Sequence, residues 1–141
     1  MYRVNIEFAP IIDMIAQINS VETSIALSVK RTADFSRNDV VSRVQNRGLN
    51  SEGEKMVTSS RQKIGAYSKS HGKVRQKRRL QVAKIDLTFN GAMMRDFQPN
   101  TSVGRSTTVG FKSDRAAEIA GYNEIRFGNA FTLSFQEVDR A

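Results

Sequence analysis

The sequence predicts an α+β fold: a long N-terminal amphipathic helix and further short helices packed on a small antiparallel β-sheet, with a long basic loop. Apolar residues recur at three- and four-residue steps between residues 10 and 32, which indicates one long helix. Between residues 98 and 112, β-branched residues flank Pro99, Asn100 and Gly104, which is typical of a hairpin. We therefore expect a single domain over residues 1–141, with residues 49–84 as a long basic loop or arm.

The composition is that of an ordinary folded domain. Of the 141 residues, 39% are hydrophobic and 26% are charged, and a chain of this length buries roughly two-thirds of its unfolded surface. The chain contains no cysteine, which excludes a disulfide framework, cysteine-bound zinc and thiol catalysis. Glu7 and Asp13 interrupt the first apolar stretch, so we expect neither a signal peptide nor a membrane span.

The N-terminal elements follow from the spacing of apolar residues. Residues 2–8 alternate apolar and polar side chains, which predicts a strand. The helix over residues 10–32 has one apolar stripe, formed by Ile11, Met14, Ile15, Ile18, Val21, Ile25 and Val29. This stripe faces either the domain's own core or, in part, a neighbouring subunit. The stretch from Ser36 to Asp39 resembles a capping box, so a second helix of about ten residues is expected to end at Gly48.

The middle of the chain has weak periodicity. Residues 49–72 are rich in Ser, Gly, Thr, Asn and Lys, which indicates an exposed loop. Residues 73–84 have too few apolar positions to choose between a short helix and an extended arm. Residues 85–97 are expected to begin extended and to end in a helical turn that includes Met93, Met94 and Phe97.

The C-terminal third predicts two more helices. Ser113 caps a helix that is expected to reach as far as Tyr122. A turn over residues 123–129 and a short strand over residues 131–133 follow. The stretch from Ser134 to Glu137 is a regular capping box, which predicts a last short helix.

The positive charge is concentrated in one stretch, residues 61–84, which we call the basic segment. It contains nine of the chain's 22 lysines and arginines and none of its 14 acidic residues, so the rest of the chain is close to neutral. The nine are Arg61, Lys63, Lys69, Lys73, Arg75, Lys77, Arg78, Arg79 and Lys84. Three interpretations stay open: contact with nucleic-acid phosphates, contact with an acidic protein surface, or solubility alone.

Catalytic motifs are missing from the sequence. His71, the single histidine, lies among cations, where a solvated or phosphate-contacting imidazole is expected rather than a general base. The carboxylates are scattered, and no phosphate-binding glycine motif or nucleophile elbow occurs. We therefore expect no catalytic, cofactor-binding or metal-binding residues, no cofactor, and a protein that is not an enzyme.

The second half of the chain carries an ordered series of short motifs. Asp86-Leu-Thr is followed by Gly91 and Met93, then by Val109-Gly-Phe111, Ala120, Tyr122-Asn123, Arg126-Phe-Gly128, Phe131, Leu133-Ser134 and Glu137. Upstream stand Gly48, Ser51, Gly53 and Tyr67-Ser68. In order and spacing, residues 43–141 resemble the virion morphogenesis and tail completion family of tailed phages, a group that includes the lambda-type tail completion and Mu-type virion morphogenesis proteins.

The resemblance implies a structural virion protein that forms a homo-oligomeric ring, hexameric or dodecameric, at the head–tail junction. As a tail completion, tail terminator or neck protein, it would join the tail to the portal–adaptor complex and surround the DNA channel. Its partners would be other copies of itself, the adjoining portal, adaptor and tail-tube proteins and, without sequence preference, the packaged DNA, but no membrane. It would be assembled in the bacterial cytoplasm and would reside in the virion neck.

The same motif residues have structural roles in this interpretation. We expect a core around the sheet formed by Leu87, Phe89, Met93, Phe111, Phe127, Phe131 and Leu133. The competing class is a small basic protein that binds nucleic acid without sequence preference. That class explains the basic segment but not the series of motifs from Asp86 to Glu137.

Overall fold

The computed structural model describes residues 9–100 and 106–140, and its fold is α+β as the sequence predicts. Five α-helices and two separate two-stranded antiparallel sheets make up the described residues. The sequence predicted one small sheet, whereas the two hairpins pair within themselves. The predicted strand over residues 2–8 lies outside the described residues.

The first helix, α1, is longer than predicted. It runs from Ala9 to Ser42 and continues as a π-helical turn, Arg43–Arg47. The prediction of a separate second helix after Ser36 is wrong, because Ser36 lies buried within α1. No glycine or proline near Ser36 interrupts the backbone hydrogen bonds of the helix. Gly48 ends the helix as predicted, in the left-handed conformation with φ +65°.

The two halves of α1 have different surroundings. Ala33 and Val40 are buried where α1 packs on the second sheet, formed by Phe97–Asn100 and Thr108–Phe111, and on the last helix, Phe135–Val138. Ile11, Ile15 and Ile18, in contrast, are each 50–53% exposed. The interpretation that the whole stripe faces the domain's own core is therefore wrong for the first half of the helix.

The segment 49–84, which was predicted as a long basic loop or arm, contains two short strands and a helix. Strand β1 (Lys63–Ile64) pairs with β2 (Tyr67–Ser68), and helix α2 follows over Lys69–Lys77. Gly65 makes the hairpin possible: its φ is +60°, and a Cβ there would lie 1.9 Å from the carbonyl oxygen of Val82. The sequence left a short helix open for residues 73–84 but predicted a loop for residues 69–72, where α2 begins, because that helix has no apolar stripe.

The second half contains the remaining elements. Helix α3 spans Ala92–Asp96, and β3 (Phe97–Asn100) pairs with β4 (Thr108–Phe111). The predicted hairpin is confirmed, and so is the helical turn at Met93 and Met94, but Phe97, which was expected in that turn, begins β3. Helix α4 spans Asp114–Phe127 and α5 spans Phe135–Val138.

Both predicted caps of the last two helices are confirmed. The Ser113 side chain accepts from the N–H of Ala116, and Ser134 forms a complete capping box with Glu137.

Two C-terminal predictions are wrong. Residues 123–129 are not a turn, because α4 continues to Phe127, and the Asn123 side chain bonds back to Ile119 within the helix. Residues 131–133 do not form a strand. The N–H groups of Ala130 and Phe131 both donate to Oε1 of Glu124, each at 3.0 Å, in place of a strand partner.

The core lies between α3, α4, the second sheet and the end of α1. Three of its rings form a cluster: the Phe97, Phe111 and Phe131 centroids are 4.9–5.5 Å apart. Five of the residues expected in the core belong to it: Leu87, Met93, Phe111, Phe127 and Phe131. Phe89 and Leu133 do not, since they are 39% and 37% exposed.

Candidate functional site

The structure divides the basic segment into exposed and buried cations. Seven of the nine are exposed: Arg61, Lys63, Lys69, Lys73, Lys77, Arg78 and Arg79. Lys84 is half-buried, and its Nζ donates to the backbone oxygen of Asn46. Arg75 is only 1% exposed. The expectation that all nine face DNA or a partner is therefore wrong for Arg75.

Arg75 is instead the centre of a buried polar network. Its guanidinium lies 4.4 Å above the centroid of the Tyr67 ring and donates to both carboxylate oxygens of Asp86, at 3.0 and 3.1 Å. Its Nε donates to the backbone oxygen of Gln81 at 2.8 Å. Because these partners lie on β2 and on the chain after α2, Arg75 fastens the helix to the rest of the domain.

Asp86 is satisfied from several sides. Its Oδ1 also accepts from the Tyr67 hydroxyl and from the backbone N–H of Thr88, both at 3.0 Å. Burial raises the pKa of Tyr67 to about 12, and the negative charge of Asp86 acts in the same direction. Asp86 is the first residue of the motif series, and its place is structural.

A shallow polar groove lies among the exposed cations. It has a volume of about 570 Å³ and is lined by Arg61, Lys69 and Lys73 together with the serines at 60, 68 and 70. Helix α2 begins in this groove, so the positive end of its dipole adds to the three cations. Hydroxyl donors beside flexible cations suit phosphate oxygens, which accept hydrogen bonds from many directions.

A larger cleft of about 760 Å³ lies on the other side of α2, between that helix, residues 85–93 and α4. His71 stacks on the Tyr67 ring there, with the centroids 5.2 Å apart, and its other neighbour is the tilted Phe89 ring, with the centroids 5.7 Å apart. The Arg78 guanidinium lies 4.2 Å from the Phe89 centroid. The cleft therefore combines ring surfaces with positive charge.

His71 is exposed, and its ring lies against Tyr67 and Phe89. Partial burial lowers its pKa, and the positive charges of Arg75 and Arg126 lower it further. The imidazole is therefore neutral near pH 7. Its aromatic packing indicates a structural role within the basic segment.

A second buried ion pair ties the π-helical turn after α1 to the last helix, α5. Arg43 pairs with Glu137 and donates to the backbone oxygens of Ala130 and Thr132, at 2.7 and 2.8 Å. Burial lowers the pKa of Arg43. Sequence reasoning missed this pair, because residues 94 positions apart give no local signal.

Several residues of the motif series occupy such structural places. Met93 and Glu137 are buried, and Phe111, Phe127 and Phe131 pack against the core. Four other members of the series are exposed: Tyr122, Arg126, Gly128 and Leu133.

Within residues 9–100 and 106–140, no group of three or more His, Asp or Glu side chains could hold a metal ion. None of the helices in this part of the chain is long and apolar enough to cross a membrane.

The chain matches no protein-family model, no curated protein and no solved structure.

Proposed function

We propose that this chain is a structural, non-enzymatic protein of a tailed phage that forms a ring at the head–tail junction, joins the tail to the portal–adaptor complex and surrounds the DNA channel. The motif series from Asp86 to Glu137 suggests the family. The observation that best supports a role beside DNA is the set of seven exposed cations, presented by a segment that a buried network holds in place.

The geometry favours phosphate contact over base recognition. Tyr67, the aromatic residue of the basic segment, is 7% exposed and covered by Arg75. It therefore offers no stacking surface for an unpaired base. The polar groove with Arg61, Lys69 and Lys73 is lined by no aromatic side chain, and cations in such a groove bind the nucleic-acid backbone regardless of sequence.

Repetition in a ring would strengthen this weak contact. Each copy contributes the same small set of cations, and symmetry multiplies their number around the channel. Weak contact without sequence preference also lets DNA pass, whereas tight base recognition would hold it.

A charge reversal with a matched control tests the DNA contact. The first variant carries Arg61→Glu, Lys69→Glu and Lys73→Glu in the polar groove. The control carries Arg31→Glu, Lys30→Glu and Lys55→Glu, three exposed cations outside the basic segment, so both lose the same net charge. Fluorescence anisotropy with short duplex DNA is measured from 50 to 200 mM salt.

We expect the groove variant to lose most of its DNA affinity and the control to lose little. If five phosphates are contacted, the wild-type affinity falls about 500-fold over that salt range. Equal losses in both variants would show that net charge, rather than the basic segment, attracts DNA, and would contradict the proposed DNA contact.

Deletion of the coding sequence from its phage tests the neck role. Electron microscopy should then show DNA-filled heads and finished tails that do not join, and expression of the wild-type chain should restore infectious particles. Normal particles without the protein would refute the proposal. Tight, salt-sensitive duplex binding by a monomer, together with normal particles, would favour the competing class of small basic nucleic-acid-binding protein.

A further inference from the structure

The first part of α1 is an apolar surface that no other part of residues 9–100 and 106–140 covers. All side chains from residue 11 to residue 24, which we call the α1 arm, are exposed. Its apolar stripe consists of Ile11, Met14, Ile15, Ile18 and Val21, which are 50–59% exposed. We propose that this stripe packs against the α1 arms of other copies of the same chain.

Continuity along the helix shows that the stripe is a packing surface. At 3.6 residues per turn, the arm residues Ile11, Ile15 and Ile18 share one face with Ala33 and Val40 farther along α1. Ala33 and Val40 are buried against the protein's own second sheet and last helix. The same face thus continues past the edge of the domain, where its apolar residues meet water.

The charge of the arm indicates which partner covers the stripe. The arm contains Asp13 and Glu22 and no basic residue, so it repels DNA and anionic lipid headgroups. Asp13 lies on the face opposite the stripe, whereas Glu22 lies on the stripe face itself, one residue past its last member Val21. An apolar face on a mildly acidic helix suits another apolar face.

The area of the stripe favours several arms over a single pair. The stripe has five apolar residues in the fourteen positions from residue 11 to residue 24. Two arms alone would bury on the order of 600 Å² of apolar surface, which is less than the roughly 1,200 Å² of a stable interface. Three or more arms bury proportionally more.

Another copy is the partner that the described residues match best. It supplies a stripe of the same length, width and apolar character, whereas the outer face of α4 exposes two large apolar side chains, Tyr122 and Ile125. The inference deepens the proposed function and rests on it in one respect, since a ring requires contacts between copies.

Paired substitutions of the same residue type test the stripe. Ile18→Glu changes a stripe residue that is 52% exposed, and Ile12→Glu changes an equally exposed residue, at 63%, about a third of a turn from the stripe centre. Light scattering should give the wild type a multiple of the 15.8 kDa chain mass. Ile18→Glu should raise the concentration of half-dissociation at least tenfold, and Ile12→Glu should change it less than twofold.

Cross-linking tests whether arm meets arm. Because the chain has no cysteine, Val21→Cys and Ser20→Cys each introduce a single thiol, on the stripe and on the opposite face respectively. A short bis-maleimide should link copies of Val21→Cys and leave Ser20→Cys unlinked. Circular dichroism should show equal helix content in all four variants.

Three results would overturn the inference: a monomeric wild type at 100 μM, equal effects of Ile18→Glu and Ile12→Glu, or equal linking at both thiol positions. Its failure is distinguishable from failure of the proposed function. Self-association through Val21 in a protein whose deletion leaves phage particles normal would refute the neck role alone. A neck protein whose arms do not link would refute this inference alone.

Discussion

Arg75 lies in the basic segment of the sequence, but in the structure its side chain is buried and pairs with Asp86. Substituting it tests whether it stabilises the fold or contributes to DNA binding. We expect Arg75→Met to destabilise the fold, because it leaves the Asp86 carboxylate buried without its cation. Arg61→Met is the matched control, since Arg61 is exposed. Both substitutions remove one positive charge from the same segment.

The magnitude follows from the contacts. Removing one partner of a buried ion pair costs about 3–5 kcal/mol, and the Arg75 side chain in this pair is 2% exposed. With a denaturant dependence of about 2 kcal/mol/M, the urea midpoint should fall by about 2 M. Arg61→Met should change the free energy of unfolding by less than about 0.5 kcal/mol.

Urea unfolding followed by far-UV circular dichroism measures both effects. The double variant Arg75→Met/Asp86→Asn should recover about 1 kcal/mol or more relative to Arg75→Met, because no uncompensated charge stays buried. In DNA titrations, Arg61→Met should reduce the slope of log affinity against log salt by about 0.9. Equal stability of Arg75→Met and Arg61→Met would refute the structural role of Arg75.

Three further predictions concern the rest of the fold. Because the folded state holds the Tyr67 proton more tightly than the unfolded chain does, the free energy of unfolding should fall by about 2–3 kcal/mol between pH 10 and pH 12. Tyr67→Phe should reduce that fall, and absorbance titration at about 295 nm should lose the transition of highest pKa. In thermal unfolding, Gly65→Ala should lower the free energy of unfolding by about 2 kcal/mol more than Gly53→Ala does. Both glycines have positive φ, but a Cβ at Gly65 would lie 1.9 Å from the Val82 carbonyl oxygen, whereas a Cβ at Gly53 meets no atom within 4 Å. Glu137→Ala should lower the free energy of unfolding by about 3–5 kcal/mol, because it leaves Arg43 buried without its carboxylate and removes half of a capping box. Urea unfolding measures this loss, and a loss below about 1 kcal/mol would contradict this account.

Local signals in the sequence predicted the elements that depend on local chemistry. The sequence predicted the hairpin of β3 and β4, the helix caps at Ser113 and Ser134, and the helix end at Gly48. These features were predictable because side-chain capping and left-handed glycine act within a few residues of the chain. The apolar period of α1 was readable for the same reason.

Elements that depend on residues far away in the sequence could not be predicted. The apparent capping box at Ser36 is overridden because the buried face of α1 continues through it onto the second sheet. Residues 131–133 looked like a strand, yet their surroundings are set by Glu124 and by two distant phenylalanines. Helix α2 has no apolar stripe, and a buried arginine holds it instead.

Composition, charge distribution and apolar period predict the fold class, the long first helix and the concentration of positive charge in residues 61–84, because all three are properties of the chain alone. Which cations reach the surface, and which half of the α1 stripe is covered, depends on how the elements pack. Arg75 and Arg61 are both arginines in the basic segment, and the sequence does not distinguish them. In the structure, Arg75 is buried because it pairs with Asp86 and packs on Tyr67, residues that other parts of the chain place beside it.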